Sequence, residues 1–420
     1  MARGQGRMMP AEKVIPLKTA DLKADFPALA QKVNGRSVTY LDSAASAQKP
    51  RAVIDAMAQV METHYANVHR GVYSFSAETS TKFEQARAKV AAFVNAKSDR
   101  EVVFTRNATE AINLVAATWG RLNLKPEDEI LLTELEHHAN IVPWYFLAQS
   151  NGVVIRTVPI LENGALDMAA FDRILSKKTK LVAFTQMSNA LGTVTDAAQI
   201  IAKAKSFGAL TLVDGSQGIV HVGTDVQKLG CDFYVFTAHK LYGPTGIGVL
   251  WGREELLNDM PPYQGGGEMI EEVSFEKITY KPAPYRFEAG TPAIVEAIGF
   301  GAAIDYLNGI DYKSALAREH ALLAAAEERV TAIPGVTIYS RAPERAAILS
   351  FGIDKVHPHD IATVFDQLGL CVRAGHHCAQ PLMRALKCTA TVRASFAIYN
   401  TMDDVERLVE GVNKVKKLFA

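Results

Sequence analysis

Cysteine is scarce in this 420-residue chain. There are four, Cys231, Cys371, Cys378 and Cys388, and no two form a CxxC pair. That density is too low for a disulfide scaffold, and a reducing, cytoplasmic setting fits it best. Excess charge is absent too: 45 lysines and arginines balance 45 aspartates and glutamates. The balance argues against nucleic acid or an anionic membrane as partner, although a local basic patch can hide in a neutral average. No apolar run approaches the roughly 18 residues of a transmembrane helix. The start, MARGQGRMMPAEKVIPLKTA, has several basic residues but no apolar stretch of the kind a secretory signal needs. It reads as a frayed tail rather than an organelle-targeting segment. There is no internal repeat and no low-complexity tract.

What is present is apolar material, 48% of residues, ample for a large core and for two domains in one subunit. From about residue 100 to about residue 250, short apolar runs alternate with helical patterns. EVVFT, EILLTEL, VVIRTVPI, KLVAFTQMS, ALTLVDGS, DFYVFTAHK and GIGVLWG read as strands. TEAINLVAATWG, ANIVPWYFLAQSNG (ending at Gly152), DMAAFDRILSKK and AAQIIAKAKSFG read as helices. The expected fold is therefore α/β: a large domain with a mostly parallel sheet covered by helices on both faces. Such sheets bind ligands at the carboxyl ends of their strands. Further on, a long helical region, roughly 294–330, precedes the strands VTIYS, AAILSFGI, LCVRA and TVRASFAIY and the helices around HDIATVFDQLG and DDVERLVEGVNKVKKLF. That is a smaller α+β domain. The division expected is a tail and arm joining the small domain over 1–40, a large domain over 41–295 and a small domain over 296–420. Between the two domains, MPPYQGGGEMIEEVSFEKITYKPAPYRFEAGTP is too irregular for a core element, and long loops of this kind are often functional.

Lys240 closes the apolar strand DFYVFTAHK. A lysine at the end of a buried strand is unusual, because burying its ammonium is costly. Alone it reads as a lysine emerging at the surface. Asp214, at the end of another apolar strand, changes that reading. Pyridoxal phosphate needs such a pair: an amine to form an aldimine, and a carboxylate that keeps the pyridine nitrogen protonated so that the ring can act as an electron sink. The alternative for Asp214 is a helix N-cap or turn. Asn107, Ala108 and Thr109 lie at a strand-to-helix junction whose free N–H groups and dipole favour a phosphate, or else form an ordinary capping turn. Thr237 and His239 flank Lys240 and could add donors. His137 and His138 follow a strand, as does Asn189. Adjacent histidines rarely converge on one metal ion, and a third ligand is not evident, so no metal is expected. An imidazole stacked on a flat cofactor is a better use of one, and a satisfied structural histidine is the alternative. Cys378 lies in the loop RAGHHCAQP with Arg373, His376 and His377, cationic neighbours that would favour a thiolate. A small buried hydrophobe is the commoner fate of a free cysteine, and Cys231 and Cys371 look like that.

Taken in order, NVHRGVYSFS, RNATEAINLVA, EHHANIVPW, LVDGSQ, CDFYVFTAHKLYGPTGIG, RFEAGTP, RAGHHCAQP and VRASFAIYNT resemble a fold-type-I pyridoxal-phosphate enzyme of the class V aminotransferase group, and more narrowly a SufS-type cysteine desulfurase. The resemblance runs from about residue 40 through YNTMDDVERLV, nearly the whole chain. It implies that Lys240 is the aldimine lysine and proton shuttle. Asp214 pairs with the pyridine nitrogen, Gln217 with the ring hydroxyl, and His137 stacks on the ring. The phosphate falls to Ala108, Thr109, Thr237 and His239, with Thr291 reaching the other subunit's phosphate site in a homodimer. Asn189, Arg373 and Arg393 take the substrate, Arg393 holding its carboxylate as a bidentate fork. Cys378 attacks the sulfur of L-cysteine, leaving a persulfide and releasing alanine. A sulfur-acceptor protein of SufU or SufE type, feeding iron–sulfur assembly, is implied as partner. VHPHD places His359 where it could take over a zinc ligand of a SufU-type acceptor, with a surface histidine before a helix as the alternative. The stretch from Pro261 to Pro284 resembles the family's hook-like hairpin. Departures are few: TAHK stands where many relatives have SGHK, which keeps the hydroxyl, and Ala108 replaces a threonine donor of some relatives. L-selenocysteine as substrate, transamination of another amino acid, and a carrier or scaffold without turnover are the other readings.

Overall fold

A computed structural model describes residues 19–419. The basic start of the chain lies outside the described residues. The centre is a seven-stranded sheet built from β1 (Val102–Thr105), β2 (Glu129–Thr133), β3 (Val154–Val158), β4 (Thr179–Thr185), β5 (Leu210–Asp214), β6 (Phe233–Thr237) and β7 (Gly248–Gly252). Their order is β1-β7-β6-β5-β4-β2-β3. The five strands β6, β5, β4, β2 and β3 are parallel, and β7 is antiparallel to both neighbours. Apolar runs with no polar alternation signal strands buried on both faces. Val102 and Phe104 pack into one core while Val103 packs into the other, as the two-residue repeat of a strand requires. β3, at one edge, exposes Arg156 and Thr157, and β4 exposes Lys180 near its start.

Two long helices escaped the sequence reading, α1 (Arg51–Thr63) and α2 (Ser74–Phe93). Both pack on α5 (Ile294–Asn308). After α1 and α2 come α3 (Ala108–Val115), continued by a wide turn to Gly120, and α4 (Val142–Asn151), which Gly152 ends at φ +70° as expected. The long helical region is two helices: α5, then α6 (Tyr312–Thr331), whose new start Asp311 caps by accepting from Ser314 N–H at 3.1 Å. The Pro/Gly-rich stretch forms an exposed hairpin, β8 (Ile270–Val273) and β9 (Ile278–Tyr280). A second sheet, ordered β10-β11-β13-β12, comprises β10 (Val336–Ile338), β11 (Ile348–Ile353), β12 (Arg373–Gly375) and β13 (Thr391–Ser395). The helices α7 (Pro358–Gln367) and α8 (Met402–Phe419) share its core with α6. The early segment Thr39–Tyr40 pairs with Leu370–Cys371 beside it.

One buried ion pair ties α2 to the segment before α5. Arg87, 1% exposed, sets Nη1 at 2.6 Å and Nη2 at 2.9 Å from the two oxygens of Glu288, with the Phe104 ring 4.6 Å away. Glu288 also accepts from Phe104 N–H at 2.7 Å. Removing one partner strands the other charge, which is the costly change at a buried pair. Glu288→Gln keeps the shape and loses the charge. It is expected to cost about 3 kcal/mol, the lower end of the range, because Glu84 still faces Arg87 at 3.0 Å. A fall in the urea midpoint at constant slope measures it.

Candidate active site

Four of the five parallel strands, β2, β4, β5 and β6, lead at their carboxyl ends into one cleft of about 570 Å³. Asp214 ends β5 and Thr237 ends β6, and the tight turn Ala238–Lys240 follows immediately. Lys240, Asp214, His137, Asn189, Gln217, Thr237, His239, Ala108 and Thr109 all line this cleft. So do Arg373, Cys378 and Arg393, contributed by the second sheet and its loop. Thr291 does not: it lies in a separate cleft of about 240 Å³ with Tyr263 and Arg106.

The anion end is built by α3. Asn107 caps it, its side chain accepting from Glu110 N–H at 2.9 Å, which leaves the first-turn N–H groups of Ala108 and Thr109 for a ligand. Gly248 is required beside them, because a Cβ there would sit 2.6 Å from the Asn107 backbone. Thr237 Oγ1 is buried without a hydrogen-bond partner. A buried hydroxyl is normally satisfied, so this one points to a ligand oxygen. Lys49, itself in contact with the Ala47 carbonyl at 2.6 Å, donates to the His239 carbonyl at 2.9 Å and pins the Lys240 turn from behind.

The electrostatics make the cleft amine far easier to deprotonate than an ordinary lysine. Burial pushes the Lys240 amine down to about 8, against the pull of Asp214. Burial, reinforced by Lys240, pushes His137 down to about 4, and its Nδ1 accepts from Ala139 N–H at 3.1 Å. The ring is thus neutral with its proton on Nε2, facing the cleft as a donor. Burial likewise pushes His239 down to about 4. Asp214 accepts from Ser216 N–H at 3.0 Å, and Gln217 Nε2 donates to the Ala44 carbonyl at 2.7 Å.

Two features of the thiol end differ from expectation or were missed. His377 is not a cation: it is buried, bonded through Nε2 to Thr391 Oγ1 at 2.8 Å, and burial pushes it down to about 3. And both arginines are tethered to Asp42, to which the motifs assigned no role. Arg373 donates to its two oxygens, Nη2 at 2.8 Å and Nε at 3.1 Å, and Arg393 Nη2 donates at 3.1 Å. Arg393 Nη1 donates to the Asn189 carbonyl at 2.8 Å, and its buried Nε has no partner. That unpartnered Nε is where a carboxylate oxygen can be held. Cys378 is exposed at the cleft, the other three thiols being buried or half-buried. His377 and Cys378 both stand at φ +54°, a left-handed backbone that costs a side-chain-bearing residue about 1 kcal/mol each.

A family described as aminotransferase class-V matches residues 39–408. A cysteine desulfurase of Pectobacterium atrosepticum is 47% identical over 398 residues, covering 94% of this chain and 98% of the relative. The cysteine desulfurase CsdA of Escherichia coli, solved with an S-sulfonic acid, superposes with a TM-score of 0.89 at 41% identity, covering 96% of this chain and 99% of that one. A more distant fold match is a C-DES mutant with glycine covalently linked to its pyridoxal-phosphate cofactor: TM-score 0.79, 22% identity, 93% of this chain and 98% of the other.

Proposed function

Because the chain belongs to the aminotransferase class-V family, and within it to the cysteine desulfurases, we propose that it takes sulfur from L-cysteine, releases L-alanine and keeps the sulfur on Cys378 as a persulfide. The observation that carries this reading is the convergence of Lys240, Asp214, Arg393 and an exposed Cys378 on one cleft. The cofactor is pyridoxal phosphate, and the residues present fit it. The first turn of α3 and the unpartnered Thr237 hydroxyl suit its phosphate, Asp214 its ring nitrogen, Gln217 its ring hydroxyl and His137 its face. When bound it supplies an electron sink for the substrate's α-carbon.

The chain's own groups do the rest. The unpartnered Nε of Arg393 and the Asn189 side chain hold the substrate carboxylate. Lys240 Nζ takes and returns protons, at the α-carbon and then at Cβ; an amine balanced near pH 8 can do both close to neutrality. Cys378 Sγ attacks the substrate sulfur as thiolate. The new S–S bond forms as the Cβ–S bond breaks, and its electron pair stays with carbon, which gains a proton to become the methyl group of alanine. Sulfur is thereby moved without an external oxidant.

The assembly around this chemistry follows the resemblance. Thr291, outside its own chain's cleft, serves the partner subunit in a homodimer. The chain divides at about residue 295, with the thiol loop on the small domain. An acceptor of SufU or SufE type collects the persulfide for iron–sulfur assembly. His357 and His359, exposed at the start of α7 with parallel rings 6.2 Å apart, are available to a zinc-bearing acceptor. Among the described residues no helix is long and apolar enough to cross a membrane, and the reading is of a cytoplasmic enzyme. Equimolar alanine and sulfide from L-cysteine in the presence of a reductant, rising when an acceptor is added, is the expected result. L-selenocysteine is the competing substrate. Alanine without sulfide, or transamination alone, overturns the reading.

A further inference from the structure

One residue of the cleft wall has no part in this chemistry, yet it is bonded twice to the thiol loop. His138 N–H donates to the Cys378 carbonyl at 2.7 Å, and His138 Nε2 accepts from Gln380 N–H at 3.1 Å. The two bonds bracket Ala379, whose N–H closes a turn on the His376 carbonyl at 2.9 Å. Within that turn, just before the bracketed residue, stand His377 and Cys378, both left-handed. Two consecutive side-chain-bearing residues rarely share that backbone, and cysteine has no tendency toward it, so the surroundings must impose it. The turn that carries His138 is itself fixed. Buried Glu136 accepts from Thr133 Oγ1 at 2.6 Å, Asn140 Nδ2 at 2.7 Å and Thr185 N–H at 3.0 Å, and Asn140 Oδ1 accepts from Trp144 Nε1 at 2.9 Å.

We propose that His138 is a positioning residue for the nucleophile: its backbone N–H and neutral ring clasp the Cys378 loop to the fixed turn and hold the left-handed backbone that keeps the thiol in the cleft. The ring can accept from Gln380 only when Nε2 carries no proton, and burial together with His376 lowers the pKa of His138. The inference rests on Cys378 being the group that attacks sulfur. It does not involve the cofactor end of the cleft.

Side-chain variants leave the backbone bond in place and isolate the ring bond. His138→Ala leaves Gln380 N–H bare, whereas His138→Gln returns an acceptor near the place of Nε2. In the full-length, cofactor-loaded protein, His138→Ala is expected to lower kcat for sulfur release from L-cysteine about tenfold, with KM within about twofold, and His138→Gln to recover most of the loss. L-cysteine sulfinate, whose sulfur leaves as sulfur dioxide while the Cβ–S electron pair stays on carbon and takes up a proton, needs no thiol attack and should be turned over by all three proteins at closely similar rates. A readout without turnover is tryptic cleavage after Arg373, Arg384 or Lys387, followed by mass spectrometry: about tenfold faster in His138→Ala and restored in His138→Gln. His138→Asn, too short to reach the Nε2 position, replaces the alanine variant should that one not fold. Equal behaviour of Ala and Gln, unchanged kcat and cleavage in Ala, or loss of the sulfinate reaction in parallel with the cysteine reaction would each overturn the clasp. If no protein releases sulfur from cysteine while the tryptic contrast persists, the desulfurase reading falls and the clasp stands.

Discussion

Replacing Cys378 by alanine is expected to lower sulfur release from L-cysteine by about 10³-fold or more, while the visible absorbance of the bound cofactor stays as it was. The magnitude follows from the role: a nucleophile that forms the new bond has no substitute in water, and its loss costs more than that of any group that only orients. None of the other three cysteines is placed to replace it. Cys231 is buried in the core, where burial raises its thiol pKa, and burial also raises the pKa of Cys371 and Cys388. Only Cys378 is both exposed and on the cleft. The unchanged absorbance follows because Lys240, Asp214, Thr237 and the start of α3 belong to the seven-stranded sheet and its connections, and none of their hydrogen bonds runs through the thiol. Sulfide and alanine assayed together decide the matter. Sulfur release within tenfold of the parent would defeat persulfide chemistry at Cys378.

The contrast between the two ends of the cleft marks what can be read from the residues alone. At the cofactor end the signal is local. An apolar run that stops at a charged residue is a buried strand meeting its carboxyl end, and both Asp214 and Lys240 announce themselves in that way. Seven strands and most of the helices are legible for the same reason. The thiol end is assembled from distant segments. Asp42 reaches Arg393 across 351 positions, and nothing near Asp42 in the chain says that it will hold two arginines. His377 reads as a cation because its neighbours are polar, and only the packing against Thr391 shows it buried and neutral. The left-handed pair at 377–378 is invisible because neither histidine nor cysteine signals that backbone as glycine does. The break between α5 and α6 was partly legible: Gly309 and Asp311 are stop and start signals inside a pattern whose periodicity hides them.

Lys240→Met is expected to separate the cost of the site from its use. In the folded, cofactor-free chain the amine is pushed down to about 8, from an ordinary value near 10.5, chiefly by burial. A base with a depressed folded pKa destabilises the fold where it must stay protonated. The cost is full below about pH 8, shrinks as pH rises through that value, and is gone above the unfolded value. Its size is roughly 3 kcal/mol at most, from the shift between the two values. Methionine fills similar space without charge, so the cofactor-free variant should unfold at higher temperature than the parent at pH 7, with the gap closing toward pH 10. Activity moves the other way. Without Nζ to carry protons and anchor the cofactor, turnover falls on the order of 10⁴-fold. Cofactor uptake by the parent, followed in the visible, should rise with pH and reach half its limiting rate near pH 8, because only the unprotonated amine can attack an aldehyde. Equal thermal stability of the two cofactor-free chains at pH 7 would mean that Asp214 compensates the buried amine. The depressed pKa, and with it the ready exchange of protons near neutrality, would then have to be abandoned.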